Sequence, residues 1–425
     1  MIQSADLESA DQWRARRWNR LQVLLKEIGI HNGFQQKHWA IRNEERNLES
    51  FSQFQKECPF TTKDELARDR VENPPYGTNF TYPIDHYTRF NQTSGTLGAP
   101  MVWLDTPSDW QWMLENWNIV LKNAGVPKGA KCFFAFSFGP FLGFWTAYEA
   151  AMQNGCLCIP GGGQSSEQRL KIILEQGVEY LFCTPTYALH LLEVTKDLRI
   201  NFAHNQLRTI IVAGETGGSD KGIKDKISMQ WNGVQVYDHY GMTEVGPVAY
   251  EIPDQSVGLR IIQESYFAEV IDPVSTQTVP NGELGELVLT TLGRTGCPVL
   301  RYRSGDLVKA VEGFDENGIP TFDLIGGILG RIDDMIIVRG VNLYPSSVDA
   351  VIRKFDEVKE YRVYKEKAGP MLEITIEVES SLEVANLIEV ALKEVFSLRI
   401  SVKPVPNGTF PQFEMKAKRW EDKLL

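Results

Sequence analysis

The spacing of apolar positions gives the chain several distinct textures. From Leu7 to about Glu65, tryptophans and charged residues recur at helix-like intervals, as in Trp13-Arg14-Ala15-Arg16-Arg17-Trp18 and Leu21-Gln22-Val23-Leu24-Leu25, which predicts a helical lead-in over about residues 1–65. Further along, short apolar runs alternate with longer amphipathic ones: 132–138, 141–153, 156–159, 167–175, 180–183, 187–194 and 209–212. Such alternation predicts βα units on a largely parallel sheet. From Ser265 to Thr290 the period becomes that of strands, with Phe267–Ile271 and Glu286–Leu289 on either side of the turn signal Pro280-Asn281-Gly282. Beyond Arg331 a compact α+β pattern follows, with strands at 335–338, 360–365, 371–378 and 400–405 and helices at 346–355 and 382–396. The expected class is therefore α/β. A large N-terminal domain over 1–329, with parallel-rich sheets and a β-rich subdomain, precedes a small α+β domain over 330–425.

At 425 residues the chain exceeds one usual core, in keeping with that division. A formal charge of −11 argues against a phosphate-backbone binding surface, so no nucleic-acid partner is expected. No apolar run of about 18 residues is present, and the N-terminus is polar and charged, so neither a membrane span nor a signal peptide is expected and the reading is cytoplasmic. Six cysteines lie mostly in apolar runs without CxxC spacing, and six scattered histidines form no HExxH pair; zinc is not expected.

Several segments carry chemistry. In Arg301-Tyr302-Arg303-Ser304-Gly305-Asp306-Leu307 an acid is expected to end a strand, and a carboxylate such as Asp306 can accept from both hydroxyls of a ribose. Arg331, in Gly330-Arg331-Ile332-Asp333, offers planar donors to the same sugar or to phosphate. Thr93-Ser94-Gly95-Thr96-Leu97-Gly98-Ala99-Pro100 packs glycines and hydroxyls into a loop whose amides can converge on phosphate oxygens. It is not a Walker A loop, because Gly98 is followed by Ala99-Pro100 rather than by Lys-Ser/Thr. Tyr237-Asp238-His239-Tyr240-Gly241-Met242-Thr243-Glu244 follows an expected strand at 234–237; Tyr240 offers a stacking face and Glu244 a hard oxygen ligand suited to Mg²⁺ between phosphates. Lys416, in Met415-Lys416-Ala417-Lys418-Arg419, can swing its ammonium into a remote cleft. Taken singly, each segment also fits a solvated turn or tail.

Taken in order, T-S-G-T-L-G-A-P, A-G-E-T-G-G, Y-G-M-T-E-V-G-P, R-Y-R-S-G-D-L, G-R-I-D-D-M-I-I-V-R-G-V-N-L-Y-P and M-K-A-K-R resemble the adenylate-forming acyl-CoA synthetases, and most of all the phenylacetate–CoA ligases, from about Asn91 to Arg419. The resemblance implies two half-reactions. A carboxylate attacks the α-phosphate of Mg·ATP to give acyl-AMP and pyrophosphate, and the coenzyme A thiol then displaces AMP. It implies that Ser94, Gly95, Thr96 and Gly98 hold the β- and γ-phosphates and that Glu244 ligates Mg²⁺. Gly214, Glu215, Asp238 and Tyr240 would border the adenine, Thr243 touch the α-phosphate, and Asp306 and Arg331 take the ribose. Lys416 is implied as the adenylation lysine, Asp333 as the hinge of a mobile C-terminal domain, and Gly340 as part of the thiol tunnel. Phe136, Phe138, Phe141, Phe144, Trp145 and Tyr148, with Ala213 and Gly241, fall where the family places its acid pocket, and the aromatics suit an aryl acid. Leu97, Ala99 and Met415 depart from the family, where Thr, Lys and Gly are usual.

The expected activity is ATP-dependent ligation of an aromatic or arylacetic acid to coenzyme A. An acid-adenylating enzyme that loads a carrier-protein thiol is the alternative, and a nucleotide-sensing homologue without turnover is a further one. A homodimer is expected from relatives.

Overall fold

The computed structural model describes residues 9–39, 48–93, 100–197, 205–215, 218–252, 258–334, 336–338, 341–368, 371–410 and 419–422. The chain divides into two compact units, one of residues 1–163 with 239–325 and one of 164–238 with 326–425.

In the first unit the lead-in is helical. Ala10–His31 begins with a capping box in which Ser9 and Gln12 satisfy each other's backbone donors. Its Leu21, Leu24 and Ile28 pack with Phe54, Leu292 and Leu300, and each such side chain contributes about 1.5–3 kcal/mol on burial. A hairpin pairs Arg89–Gln92 with Val102–Asp105, and Lys131–Phe134 runs parallel to Leu157–Pro160. The remainder is an antiparallel path: Tyr266–Ile271, Leu284–Thr291, Tyr302–Phe314, Pro320–Ile325, Gly258–Ile261, Gly246–Glu251 and the second half of Gln235–Met242. The β-rich part thus starts earlier than the apolar period suggested, at the hairpin closing on Gly246.

Two expected strand ends are corrected here. The strand expected at 234–237 continues to Met242, so Tyr240 lies within it rather than after it. Asp306 does not end a strand either: Tyr302–Phe314 runs straight through it. Between the pairs Val288↔Arg303 and Glu286↔Leu307, the three residues Ser304, Gly305 and Asp306 face the single residue Leu287. Gly305 takes a φ of 74°, a left-handed angle that costs glycine little, and Ser304 Oγ donates to the Leu287 carbonyl at 2.7 Å. A Ser-Gly-Asp triplet that reads as a turn is accommodated as a bulge, which re-aims side chains without ending the ladder.

In the second unit Tyr180–Cys183, Thr209–Val212 and the first half of Gln235–Met242 pair in parallel, with helix Ser166–Glu175 before them and helices Pro185–Asp197 and Lys221–Gln230 between them in the chain. Its C-terminal part has a four-stranded sheet in the order Ser401–Val405, Met371–Glu379, Tyr361–Ala368, Trp420–Asp422. Val363, Ile374, Ile376 and Val378 pack there with Ile388 and Leu392 of helix Leu382–Phe396. This is the mixed α/β arrangement expected.

Candidate functional site

In the first unit, strands Gln235–Met242 and Gly246–Glu251 are joined by the turn Thr243-Glu244-Val245. Gly241 faces this hairpin so closely that a Cβ there would lie 2.8 Å from the Gly246 carbonyl oxygen, which requires glycine. Tyr240 Oη donates to Asp306 Oδ2 at 2.5 Å, and Asp306 is buried at 3% exposure. The bulge therefore delivers the Asp306 carboxylate to the strand that carries Tyr240.

Glu244 is also buried, and Lys63 Nζ, at the start of helix Lys63–Glu72, stands 3.9 Å from its Oε1. Beneath the turn lies Arg294, with no solvent exposure. Its Nη1 donates to the carbonyls of Thr243 (3.0 Å) and Glu244 (2.8 Å), and its Nε to Asp105 Oδ1 (2.7 Å). Burial opposes the Arg294 charge, but Asp105 and other anionic groups outweigh it, so its pKa is raised. His239, one residue before Tyr240, is buried against Trp117, its Nδ1 is 2.8 Å from the Ala249 carbonyl, and burial pulls its pKa down to about 4.

The aromatic segment lies in the same unit. Phe136 is buried and stacked on Phe144, with ring centres 3.9 Å apart and planes at 10°. Phe141 meets Phe144 edge-on, and Phe138 meets both Trp145 and Tyr148 edge-on at 5.0 and 5.4 Å. Phe138, Phe141, Phe144, Trp145 and Tyr148 all keep partial exposure. Phe138 adopts a φ of 51°, an uncommon angle for a bulky side chain and the kind of strain found at ligand sites. Trp145 Nε1 donates to the Gly139 carbonyl at 3.0 Å.

The second unit gathers Ala213, Gly214, Glu215 and Asp238 at the carboxyl ends of its parallel strands, where open α/β sheets receive ligands. Ala213 N donates to the Cys183 carbonyl, Gly214 has a φ of 87°, and Glu215 Oε2 accepts from Thr186 Oγ1 at 2.6 Å. Asp238 accepts from Ser219 Oγ. Arg331 follows in the short strand Gly330–Arg331, its Nη2 3.7 Å from the exposed Asp333.

Ser94, Gly95, Thr96, Gly98, Gly340 and Lys416 lie outside the described residues. The mouth of the glycine-rich loop is described: Thr93 N donates to the Met101 carbonyl and Met101 N to Thr93 Oγ1, each at 2.9 Å. Among the described residues no group of three or more His, Cys, Asp or Glu could hold a metal ion. A lone buried carboxylate such as Glu244 still fits Mg²⁺, which keeps several waters and takes its other oxygens from phosphates. Sequence reasoning missed Lys63, Arg294 and Asp105; the last two pair across 189 positions and leave no local pattern.

The chain as a whole matches known proteins. Residues 86–294 match the AMP-binding enzyme family and residues 340–423 the AMP-binding enzyme C-terminal domain. Phenylacetate–coenzyme A ligase of Pseudomonas putida is 30% identical over 398 residues, covering 89% of this chain and 86% of the relative. The Escherichia coli (strain K12) phenylacetate–coenzyme A ligase is 31% identical, covering 85% and 83%. The chain belongs to the AMP-binding enzyme family. Within it this ligase stands among the AMP-forming acid–CoA ligases, whose chemistry uses ATP, coenzyme A and a small carboxylic acid. A crystal structure of 2-hydroxyisobutyryl-CoA ligase in the postadenylation state, with an acyl-AMP bound, superposes with a TM-score of 0.90 at 25% identity, covering 100% of this chain and 94% of that one. No described helix is long and apolar enough to cross a membrane.

Proposed function

We propose that this ligase activates an aromatic or arylacetic acid. The observation that carries the acid class is the cluster of partly exposed rings at Phe138, Phe141, Phe144, Trp145 and Tyr148 over the buried Phe136, with Ala213 and Gly241 as further pocket residues. Such rings favour a flat apolar ligand by edge and face contacts.

In this reading a carboxylate oxygen of the acid attacks the α-phosphorus of ATP and pyrophosphate leaves. The coenzyme A sulfur then attacks the acyl carbon, its proton is lost and AMP leaves. Neither step needs a protein nucleophile; each needs anionic charge met by placed donors. Ser94, Gly95, Thr96 and Gly98 take the β- and γ-phosphates, Thr243 the α-phosphate, and Gly214, Glu215, Asp238 and Tyr240 border the adenine. Asp306 and Arg331 hold the ribose. Glu244 is the ligand for Mg²⁺, which when bound neutralises phosphate charge. Lys416 carries its ammonium to the reacting carboxylate. The small domain, 330–425, turns about Asp333 between half-reactions, and Gly340 leaves room for the thiol. We further propose a cytoplasmic homodimer with free coenzyme A, rather than a carrier-protein thiol, as acceptor.

The test is acid-dependent exchange of labelled pyrophosphate into ATP over benzoate, anthranilate, phenylacetate, short fatty acids and 2-hydroxyisobutyrate, with thioester formation followed on coenzyme A and on a phosphopantetheinyl carrier. Exchange with an aryl or arylacetic acid is expected. A second reading, a short branched hydroxy acid, is favoured by the 2-hydroxyisobutyryl-CoA ligase likeness, and exchange confined to 2-hydroxyisobutyrate would replace the first. For Lys416→Ala, exchange should collapse while supplied acyl-AMP is still converted to thioester; equal loss of both would remove Lys416 from the role.

A further inference from the structure

The turn Thr243-Glu244-Val245 is held in a way its sequence does not announce. Carbonyls at a hairpin turn ordinarily face water, yet three in succession here accept from buried side chains. Arg294 Nη1 reaches Thr243 and Glu244, and Tyr266 Oη reaches Val245 at 2.8 Å. Both donors have zero exposure.

Arg294 is itself held by its neighbours at Nε and Nη1. Asp105 takes its Nε, and Trp103 lies under the guanidinium at 5.2 Å. Asp105 and Trp103 belong to strand Val102–Asp105, whose hairpin partner Arg89–Gln92 leads into the glycine-rich loop; Asn91 of that partner donates to Asp105 Oδ2. The backbone around Arg294 is pinned as well. A Cβ on Gly293 would fall 2.3 Å from Trp112 Nε1, and one on Gly296 2.3 Å from Asp109 Oδ2, while Gly296 N donates to Asp109 Oδ1 at 3.0 Å. The guanidinium thus joins two ribbons, one ending at Glu244 and the other at the phosphate loop.

We propose that Arg294, seconded by Tyr266, is a positioning residue that sets the turn backbone so that the Glu244 carboxylate meets the metal on the nucleotide, in register with the hairpin that carries the phosphate loop. The inference rests on the role given to Glu244 under Proposed function. A planar fork can hold two carbonyls and a carboxylate at once; an ammonium on a flexible stem cannot reproduce that geometry. Small misplacements of a charged ligand carry large penalties in a site whose worth is preorganisation.

The test uses the full chain as Arg294→Lys, Tyr266→Phe, Glu244→Gln and the doubles Arg294→Lys/Glu244→Gln and Tyr266→Phe/Glu244→Gln. ATP affinity is measured by calorimetry with Mg²⁺ and in EDTA, alongside amide hydrogen exchange of the 243–246 stretch in the ligand-free protein. Arg294→Lys is expected to weaken Mg²⁺·ATP binding by about tenfold, leave metal-free ATP affinity within about twofold, and speed exchange at 243–246. Its effect should vanish in the Glu244→Gln background, because both changes act on the same contact. KM for Mg²⁺·ATP should rise more than kcat falls. If Arg294→Lys does not fold, Tyr266→Phe, which removes a single donor, carries the test with the same pattern at about threefold. Equal weakening with and without Mg²⁺, or additivity with Glu244→Gln, would overturn the proposal. Should Glu244→Gln itself leave Mg²⁺·ATP affinity unchanged while Arg294→Lys lowers it, the role of Glu244 fails and that of Arg294 must be sought elsewhere.

Discussion

The turn at Thr243–Val245 and the aromatic segment from Phe136 to Tyr148 lie in one unit and are built on opposite plans. The turn is fixed by directional bonds from buried donors, with Arg294 and Tyr266 on its carbonyls. The rings of the aromatic segment meet one another by ring-on-ring contact, with indole hydrogen bonds from Trp145 to Gly139 and from Trp117 to Thr146 beside them, and most of these rings are partly open. Directional bonds fix atoms to within a few tenths of an ångström, as handling phosphate charge demands; ring contacts permit sliding at small cost, as accepting an acid permits. One region should therefore govern whether ATP is used and the other which acid is chosen.

The largest expected effect is at the turn. Glu244→Gln should cut pyrophosphate exchange by about a thousandfold, with little loss of stability, because its one described ion pair is the loose 3.9 Å contact with half-exposed Lys63. A change in acid ranking instead would dissolve the contrast.

Next is acid sensitivity beneath the turn. His239 has a folded pKa of about 4 against 6.5 for the free group, so the unfolded chain takes up its proton first. Stability is then fully present above pH 6.5 and is lost as pH falls from 6.5 to 4, by about 3 kcal/mol in all. Urea titrations at pH 7 and 4.5 should show most of that loss, and His239→Gln should flatten the slope.

A smaller effect is expected for Tyr240→Phe, which removes the donor on Asp306. KM for ATP should rise by about fivefold with kcat nearly kept, and an unchanged KM would detach this pair from the nucleotide. The smallest belongs to the aromatic segment. Trp145→Ala should alter the ratio of kcat/KM between phenylacetate and benzoate by only a few-fold, within the range a pocket contact commands, and leave ATP affinity alone.

Much of the fold was legible because local patterns carry it. Strands Tyr180–Cys183 and Thr209–Val212 and helix Leu382–Phe396 fall on the expected residues, each being a short run whose period matches its element. What stayed hidden depends on distant partners. Nothing near Asp306 reveals that Leu287 will face a bulge, and nothing near Arg294 points to Asp105. Of the candidate site, the motifs named Tyr240 and Asp306, which the structure brings together, but not the groups beneath them. The loop at 94–99, Gly340 and Lys416 fall outside the described residues, so their expected roles stand on the resemblance.

The bulge at Ser304–Asp306 has a consequence for how this strand can vary. Side chains alternate between faces with a period of two, and the bulge adds two residues, so both halves of Tyr302–Phe314 keep one reading frame, with 302, 304, 306, 308 and 310 all buried. Each side chain of the triplet has its own task, Ser304 on the Leu287 carbonyl, Gly305 at its φ of 74° and Asp306 with Tyr240, and the length of the triplet cannot change by one. Losing Gly305 would roll the exposed Lys309 inward and the buried Val308 and Ala310 outward, so a shortened chain would forfeit its core there before its carboxylate was ever called upon.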